Sequence, residues 1–366
     1  MRRLITRFVA PGLLVLAFAS SAEEAVEENE DDSGDGRFLV LPLIITEPAI
    51  GEGIGAGLVY FHALPDDKPK LASGRSIGRT GRRQKPPPTA TGVFAAYTNN
   101  DTAAIGIGHA RTFKDDTWRM TAALADARVN ATYYVADLPF KFSLEGALVM
   151  ANVKRRIANS SWFFGMSTSL VNADTFFRDS GSGIPDFEFT DVGISAMGIY
   201  DTRDDSMMPS TGRLLDLTVG RYDDAIGGDF DYWTSRFKFN SFHKFAEKFV
   251  LGLRFEVGIA EGNVPFYAEP FVSLRGIPAL RYTGEMAGVV ETELRYQLAK
   301  RWAVLAFAGK GFVDDFDSAT GTEDNIRAWG VGFRWLALIE QNVWIGVDLA
   351  RGPEDDAFYV QMVHPW

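Results

Sequence analysis

The sequence predicts an all-β protein, a 16-stranded antiparallel transmembrane β-barrel. Two observations carry this. From Phe38 onward, apolar and polar residues alternate in segments about as long as a membrane-crossing strand, with turn residues between them. The composition, with 36 glycines, 28 phenylalanines and a mean hydropathy near zero, suits alternating strands better than helices. Beyond the N-terminus no run approaches the ~18 apolar residues that a spanning helix needs, which excludes a helical bundle. The absence of cysteine excludes disulfides, thiolate metal sites and a cysteine nucleophile. A net charge of −11 disfavours nucleic acid as a partner.

In chain order, Arg2, Arg3 and Arg7 precede an apolar stretch that ends in Ser20-Ser21-Ala22, so residues 1–22 read as an export signal cleaved after Ala22. An uncleaved anchor is the alternative. Residues 23–36 hold eight carboxylates and no base, which predicts a disordered acidic linker or a partner-binding tail. Residues 37–366 form the barrel. Its strands are expected at 52–63, 90–99, 102–112, 117–127, 130–136, 140–150, 162–171, 189–200, 213–222, 230–242, 249–259, 287–298, 302–313, 326–335, 343–350 and 358–366. In 251–259, for example, Leu251, Leu253, Phe255, Val257 and Ile259 alternate with Gly252, Arg254, Glu256 and Gly258. A soluble sandwich would rarely gather so many glycines and ion-pairable charges on one face. In a membrane barrel the apolar face meets lipid and the charged face lines a polar lumen.

With both ends of the chain in the periplasm, connections after even strands are periplasmic, including Asn100-Asp101 and Arg128-Val129. The long connections 64–89 and 260–286 follow odd strands and are expected outside. The first holds Lys68, Lys70, Arg75, Arg79, Arg82, Arg83 and Lys85. It is either a site for lipopolysaccharide phosphates or a solvated loop.

Several features resemble chemistry without carrying it. Gly51, Gly53, Gly55 and Gly57 lie on one face of a strand, whereas a phosphate-binding loop needs a strand, a turn and a helix. His62, His109, His243 and His364 fall in separate segments without metal-ligand spacing. There is no G-x-S-x-G, and Asp201, Asp204 and Asp205 read as turn formers rather than catalytic carboxylates. The chain is therefore read as neither an enzyme nor a cofactor protein.

Asp201-Thr202-Arg203-Asp204, followed by Pro209 and Gly212, resembles a periplasmic turn of the bacterial surface-antigen superfamily, the BamA/TamA family of outer-membrane barrels. Leu274-Arg275-Gly276-Ile277 resembles that family's V-R-G-Y/F motif on a long, inward-folded sixth extracellular loop. The run Gly51–Gly55 resembles the opening strand of its short members, and the chain ends in an aromatic, Trp366. The resemblance implies residence in the bacterial outer membrane and contact with its lipids. It further implies a role in inserting or translocating proteins or lipids through a seam between first and last strands. The glycine row from Gly51 to Gly57 would weaken that seam against the strand ending in Trp366. A second copy capping the edge is the alternative, and a passive channel or lipid-organising barrel is the other functional class.

The departures from the family also matter. Residues 23–36 leave no room for a POTRA domain, which points to an unlinked periplasmic partner as the source of any soluble module. An acid that the family often carries on the thirteenth strand is Gly309 here, while Glu293 and Glu291 are kept on the twelfth. Arg275 is accordingly expected to reach Glu293, backed by Glu291, and to depend most on Glu293.

Overall fold

Exposed and buried side chains alternate along the strands, and the exposed set is the apolar one. Ile54, Leu58, Val93, Ile105, Ile107, Met120, Leu124, Val149, Trp329 and Val331 all face outward. Their inward neighbours include Glu291, Glu293, Arg334 and Asp348, all buried. A protein in water would reverse this pattern, so the outer band marks a lipid-facing surface. Among the described residues no helix is long and apolar enough to cross a membrane, and the crossing is made by strands.

The computed structural model describes residues 37–366 apart from 48, 63–86, 88, 115, 136–137, 159, 178–184, 315–322, 339–342, 354–355 and 363. The sixteen strands are β1 (Arg37–Glu47), β2 (Gly51–Phe61), β3 (Ala90–Thr98), β4 (Ala103–Phe113), β5 (Trp118–Val135), β6 (Leu138–Arg156), β7 (Trp162–Phe177) and β8 (Phe187–Asp201), then β9 (Gly212–Tyr222), β10 (Tyr232–Ala246), β11 (Phe249–Gly262), β12 (Met286–Ala299), β13 (Trp302–Asp314), β14 (Glu323–Leu338), β15 (Val343–Arg351) and β16 (Asp356–Met362). Each pairs antiparallel with its neighbour in chain order. β1 and β16 come alongside each other with no ladder between them among the described residues. The result is a nearly closed barrel with an unsealed seam. The start of β1 and the end of β16 share one rim, here the terminal end; the opposite rim is the loop end.

The expected number of strands is correct, but two errors offset each other. β1 was not expected as a strand. Its sequence RFLVLPLIITE is apolar on both faces and holds Pro42, so alternation gave no signal. The two strands expected at 117–127 and 130–136 are one 18-residue strand, β5. Arg128-Val129 is not a turn, because Arg128 pairs with Glu145 and Val129 with Leu144 in an unbroken ladder to β6.

These changes reverse the parity of the first loop. The connection between β2 and β3 leaves from the terminal end, the rim that carries the turn between β8 and β9. Asn100-Asp101 turns at the loop end. With the chain ends in the periplasm, the basic connection is periplasmic, which removes the expected contact with surface lipopolysaccharide. Its basic residues lie outside the described residues, as do the expected signal and the acidic linker.

The glycine row is also not at the seam. β2 is paired on both sides: Gly53 faces Ile45 of β1 and Thr98 of β3. Its glycines serve a close approach instead, since a Cβ at Gly53 would lie 2.2 Å from the Tyr97 carbonyl oxygen. Nor does Trp366 belong to a seam strand. β16 ends at Met362, and Trp366 is buried with its ring stacked on Phe242 of β10 at 5.5 Å.

Candidate functional site: loop six, its acids and the β8–β9 turn

The inward face of β11–β15 combines charge with glycine, and the register shows why. Gly309 pairs with Glu291, Gly252 with Glu293, Gly332 with Asp348 and Gly346 with Arg334. A Cβ at Gly346 would lie 2.4 Å from Arg334 Cδ, and one at Gly332 2.0 Å from Asp348 Oδ1. Gly332 and Gly346 clear the volume that Asp348 and Arg334 occupy, while Gly252 makes room for the Trp366 ring.

Loop six joins β11 to β12 and folds into the lumen. At the loop end, Phe266 and Tyr267 pack edge-on and stacked against Phe142 and Phe189, and Tyr133 donates to Glu269 at 2.8 Å. Deeper in, Ile277 N–H donates to the Leu274 carbonyl at 3.0 Å, and Gly276 takes φ +94°, a conformation that favours glycine. The resulting turn separates its side chains. Leu274 and Ile277 enter an apolar cluster with Val272, Val289 and Ala328. Arg275 points toward the acids, with its guanidinium 3.6 Å from the Phe307 ring centroid.

Arg275 donates to Glu291 from Nε at 2.9 Å and from Nη2 at 2.6 Å, to Glu293 from Nη2 at 3.1 Å, and to Asp348 from Nη1 at 2.8 Å. Arg254 adds a bond to Glu291 at 3.2 Å, and Arg334 one to Asp348 at 2.9 Å. The residues expected together are thus brought together, with two differences. Glu291 takes more of Arg275 than Glu293 does. The acid absent at Gly309 is supplied by Asp348 of β15, while Gly309 makes room for Leu274, whose Cδ2 would be 2.7 Å from a Cβ there. Asp348 is the only acid in Val343–Arg351, and its inward parity was its one signal in the sequence.

Glu293 faces the chain terminus. His364, beyond the last strand, lies 3.1 Å from it through Nε2. Burial pushes the His364 pKa below its usual value, with Arg295 adding to the effect against the pull of Glu293. The other ring nitrogen, Nδ1, lies 3.0 Å from the Trp366 carbonyl oxygen and 3.4 Å from the Trp366 N–H.

The turn after β8 meets the same face. Asp201 accepts from Arg203 N–H at 3.1 Å and from Arg203 Nε at 3.0 Å; Asp204 accepts from Ser210 and Thr211 N–H at 2.9 and 3.0 Å; Asp205 accepts from Met207 N–H at 2.7 Å. Each of these carboxylates holds backbone. Gly212 closes the turn at φ +103°. The Pro209 carbonyl accepts from Arg295 of β12 at 2.7 Å, and the Met207 carbonyl from His364 N–H at 2.8 Å. Turn, β12, loop six and chain end are therefore one connected assembly.

Loop six also bridges the open seam. Gly276 N–H donates to Tyr359 Oη on β16 at 2.9 Å, and Ala279 N–H to Glu47 Oε1 on β1 at 3.1 Å. Neither Tyr359 nor Glu47 was flagged by the sequence, because each acts through contacts more than 80 residues away in the chain.

Arg275→Ala and Glu291→Ala are each expected to lower the heat-modifiable folded fraction, by about 3–5 kcal/mol, because each strands a buried charge. The double variant should cost less than the sum. Strict additivity in a denaturant titration would mean that the two residues are not coupled in the folded protein.

Among solved structures the barrel is similar to BamA from Haemophilus ducreyi lacking POTRA domains 1–3, with a TM-score of 0.58 and 11% identity over 96% of this chain and 76% of that one. It is similar to CdiB from Escherichia coli (TM-score 0.58, 11% identity, 93% of this chain and 63% of that one). It also resembles CdiB from Acinetobacter baumannii (0.57, 10%, 89% and 59%). The chain thus spans less than two thirds of either CdiB chain. A search of curated proteins finds no match. The Omp85 superfamily domain matches residues 131–337, more than half of the chain and all of the assembly around Arg275 except Asp348 and the terminal residues, and the chain belongs to that superfamily.

Proposed function

We propose that this barrel resides in the bacterial outer membrane and assists the insertion or translocation of proteins or lipids there by opening between β1 and β16, without acting as an enzyme. The observation that carries the reading is the absence, among the described residues, of a ladder at that junction, beside ladders at all fifteen others. Omitting a ladder leaves unpaired backbone groups in a medium without water, a cost that a permanently closed barrel would avoid and that an opening junction has to bear. What spans it among the described residues includes two hydrogen bonds from loop six, to Tyr359 and Glu47, and these separate more readily than a strand pair. A passive channel suits the structure less well, because loop six lies inside the lumen.

The test uses cysteine pairs. Ile44 on β1 would be paired in turn with Phe358 and Val360 on β16, and Val331 with Leu349, which face each other across β14 and β15, serves as the control. The seam pairs should crosslink less efficiently than the control, and a locked seam should abolish rescue of an outer-membrane assembly defect in cells lacking the native protein. Efficient crosslinking together with full rescue would reject an opening seam. A crosslink between two chains would instead identify an edge-to-edge dimer.

A further inference from the structure

We propose that the outer face of β2–β4 at the terminal end binds the phosphate of an anionic phospholipid headgroup, with His62, Thr91, His109 and Arg111 as its ligands. This inference requires only membrane residence and goes beyond the assembly reading. In sequence the histidines lie in separate segments; the register brings two of them together. Tyr60 pairs with Thr91, and Thr91 with His109. Thr91 Oγ1 lies 2.8 Å from His62 Nε2 and 2.8 Å from His109 Nδ1, with the imidazoles edge to face at 5.6 Å between centroids. These bonds use one nitrogen of each ring. Thr91 has one hydroxyl proton, so it donates to one ring and accepts from the other, and with neutral rings one of the two outer nitrogens, His62 Nδ1 or His109 Nε2, presents an N–H to a ligand.

The cluster sits where the apolar band ends. Leu58, Val93 and Ile107 are exposed and share strand parity with His62, Thr91 and His109, so the cluster continues the same outward rows toward the rim. Aromatic rings mark the level: Phe113 stacks on Trp118 at 6.4 Å, Arg111 lies 5.5 Å from the Phe113 centroid, and Arg155 lies 5.5 Å from that of Trp118. Such rings gather at headgroup depth in membrane barrels. Among the described residues none of His62, His109, Arg111 and Arg155 forms an ion pair. At the opposite rim the same outer face carries Glu52, Asp126 and Glu145, the last paired with Arg128 at 3.1 Å. Arg111 and Arg155, which have no carboxylate partner among the described residues, lie with the imidazoles beside an apolar band and complement a molecule with a phosphate at one end and acyl chains at the other. A free phosphate would meet the cations but leave the adjoining apolar rows uncovered.

Native mass spectrometry of the full chain from detergent micelles tests this, with phosphatidylglycerol as the probe and phosphatidylcholine as the control. The wild type should retain phosphatidylglycerol at least about tenfold more tightly than the triple variant His62→Ala/His109→Ala/Arg111→Ala, since each charge-assisted hydrogen bond is worth about a factor of ten. Phosphatidylcholine should not distinguish them. The double variant His62→Gln/His109→Gln keeps a polar group beside Thr91 and should show a smaller loss in the same direction, which covers the case of a triple variant that does not fold. Equal phosphatidylglycerol affinity in wild type and a folded variant overturns the proposal. So does complete displacement of the lipid by inorganic phosphate, which would make the cluster a site for free phosphate.

Discussion

Asp348→Asn is expected to destabilise the barrel by about 3–5 kcal/mol, a large share of the margin of a folded protein. Asp348 is fully buried and takes hydrogen bonds from Arg275 at 2.8 Å and from Arg334 at 2.9 Å. Asparagine keeps the shape and one acceptor oxygen but removes the charge that faces both guanidiniums. It also places an NH2 group where donors already converge. Denaturant titration of heat-modifiability in detergent should show the lower midpoint, with loop six more open to protease. A change below about 1 kcal/mol would mean that the carboxylate is effectively solvated, as at an exposed pair.

Gly212→Ala should have the second large effect, through backbone rather than charge. At φ +103° a side chain costs about 1–3 kcal/mol. The added Cβ would also meet the Thr202 carbonyl oxygen at 2.2 Å and Arg203 Cα at 2.7 Å, so the turn must shift. A shifted turn moves Pro209 and Met207, which hold Arg295 and His364. Slower recovery of the heat-modifiable form on refolding would report this, with Gly227→Ala, where an added Cβ meets nothing within 4 Å, as the control for a positive-φ glycine alone. A Gly212→Ala protein that refolds like the wild type would mean that the turn relaxes without passing the strain to β12.

Much of this structure could be read from the chain because a membrane barrel writes its two environments into alternate residues. β11 and β14 were placed within a few residues for that reason. The motif glycines Gly276 and Gly212 were named by resemblance alone, and the positive φ that both adopt comes from the structure. What alternation does not encode was missed. From Phe38 to Ile45 β1 is apolar on both faces, so it offers no period to count. β5 extends beyond the membrane-spanning length, and Arg128-Val129 within it reads as a turn by sequence but continues the ladder to β6. Those two errors left the number of strands intact yet placed the basic first loop on the wrong side. Asp348, Tyr359 and Glu47 act through neighbours set by barrel closure, which no local window contains.

Pro42 carries a consequence of its own. The ladder from β1 to β2 runs without a break through its pairing with Ala56. Proline lacks an N–H, so it is tolerated in an edge strand where its nitrogen faces away from the ladder, and an unbroken ladder fits that orientation. Any strand that adds to that edge, from β16, a second copy or a client chain, finds one donor missing at the middle. An exposed strand with a complete row of donors is a template for runaway pairing and aggregation. With one donor missing, the edge of β1 is a poorer template for such pairing than an uninterrupted strand would be.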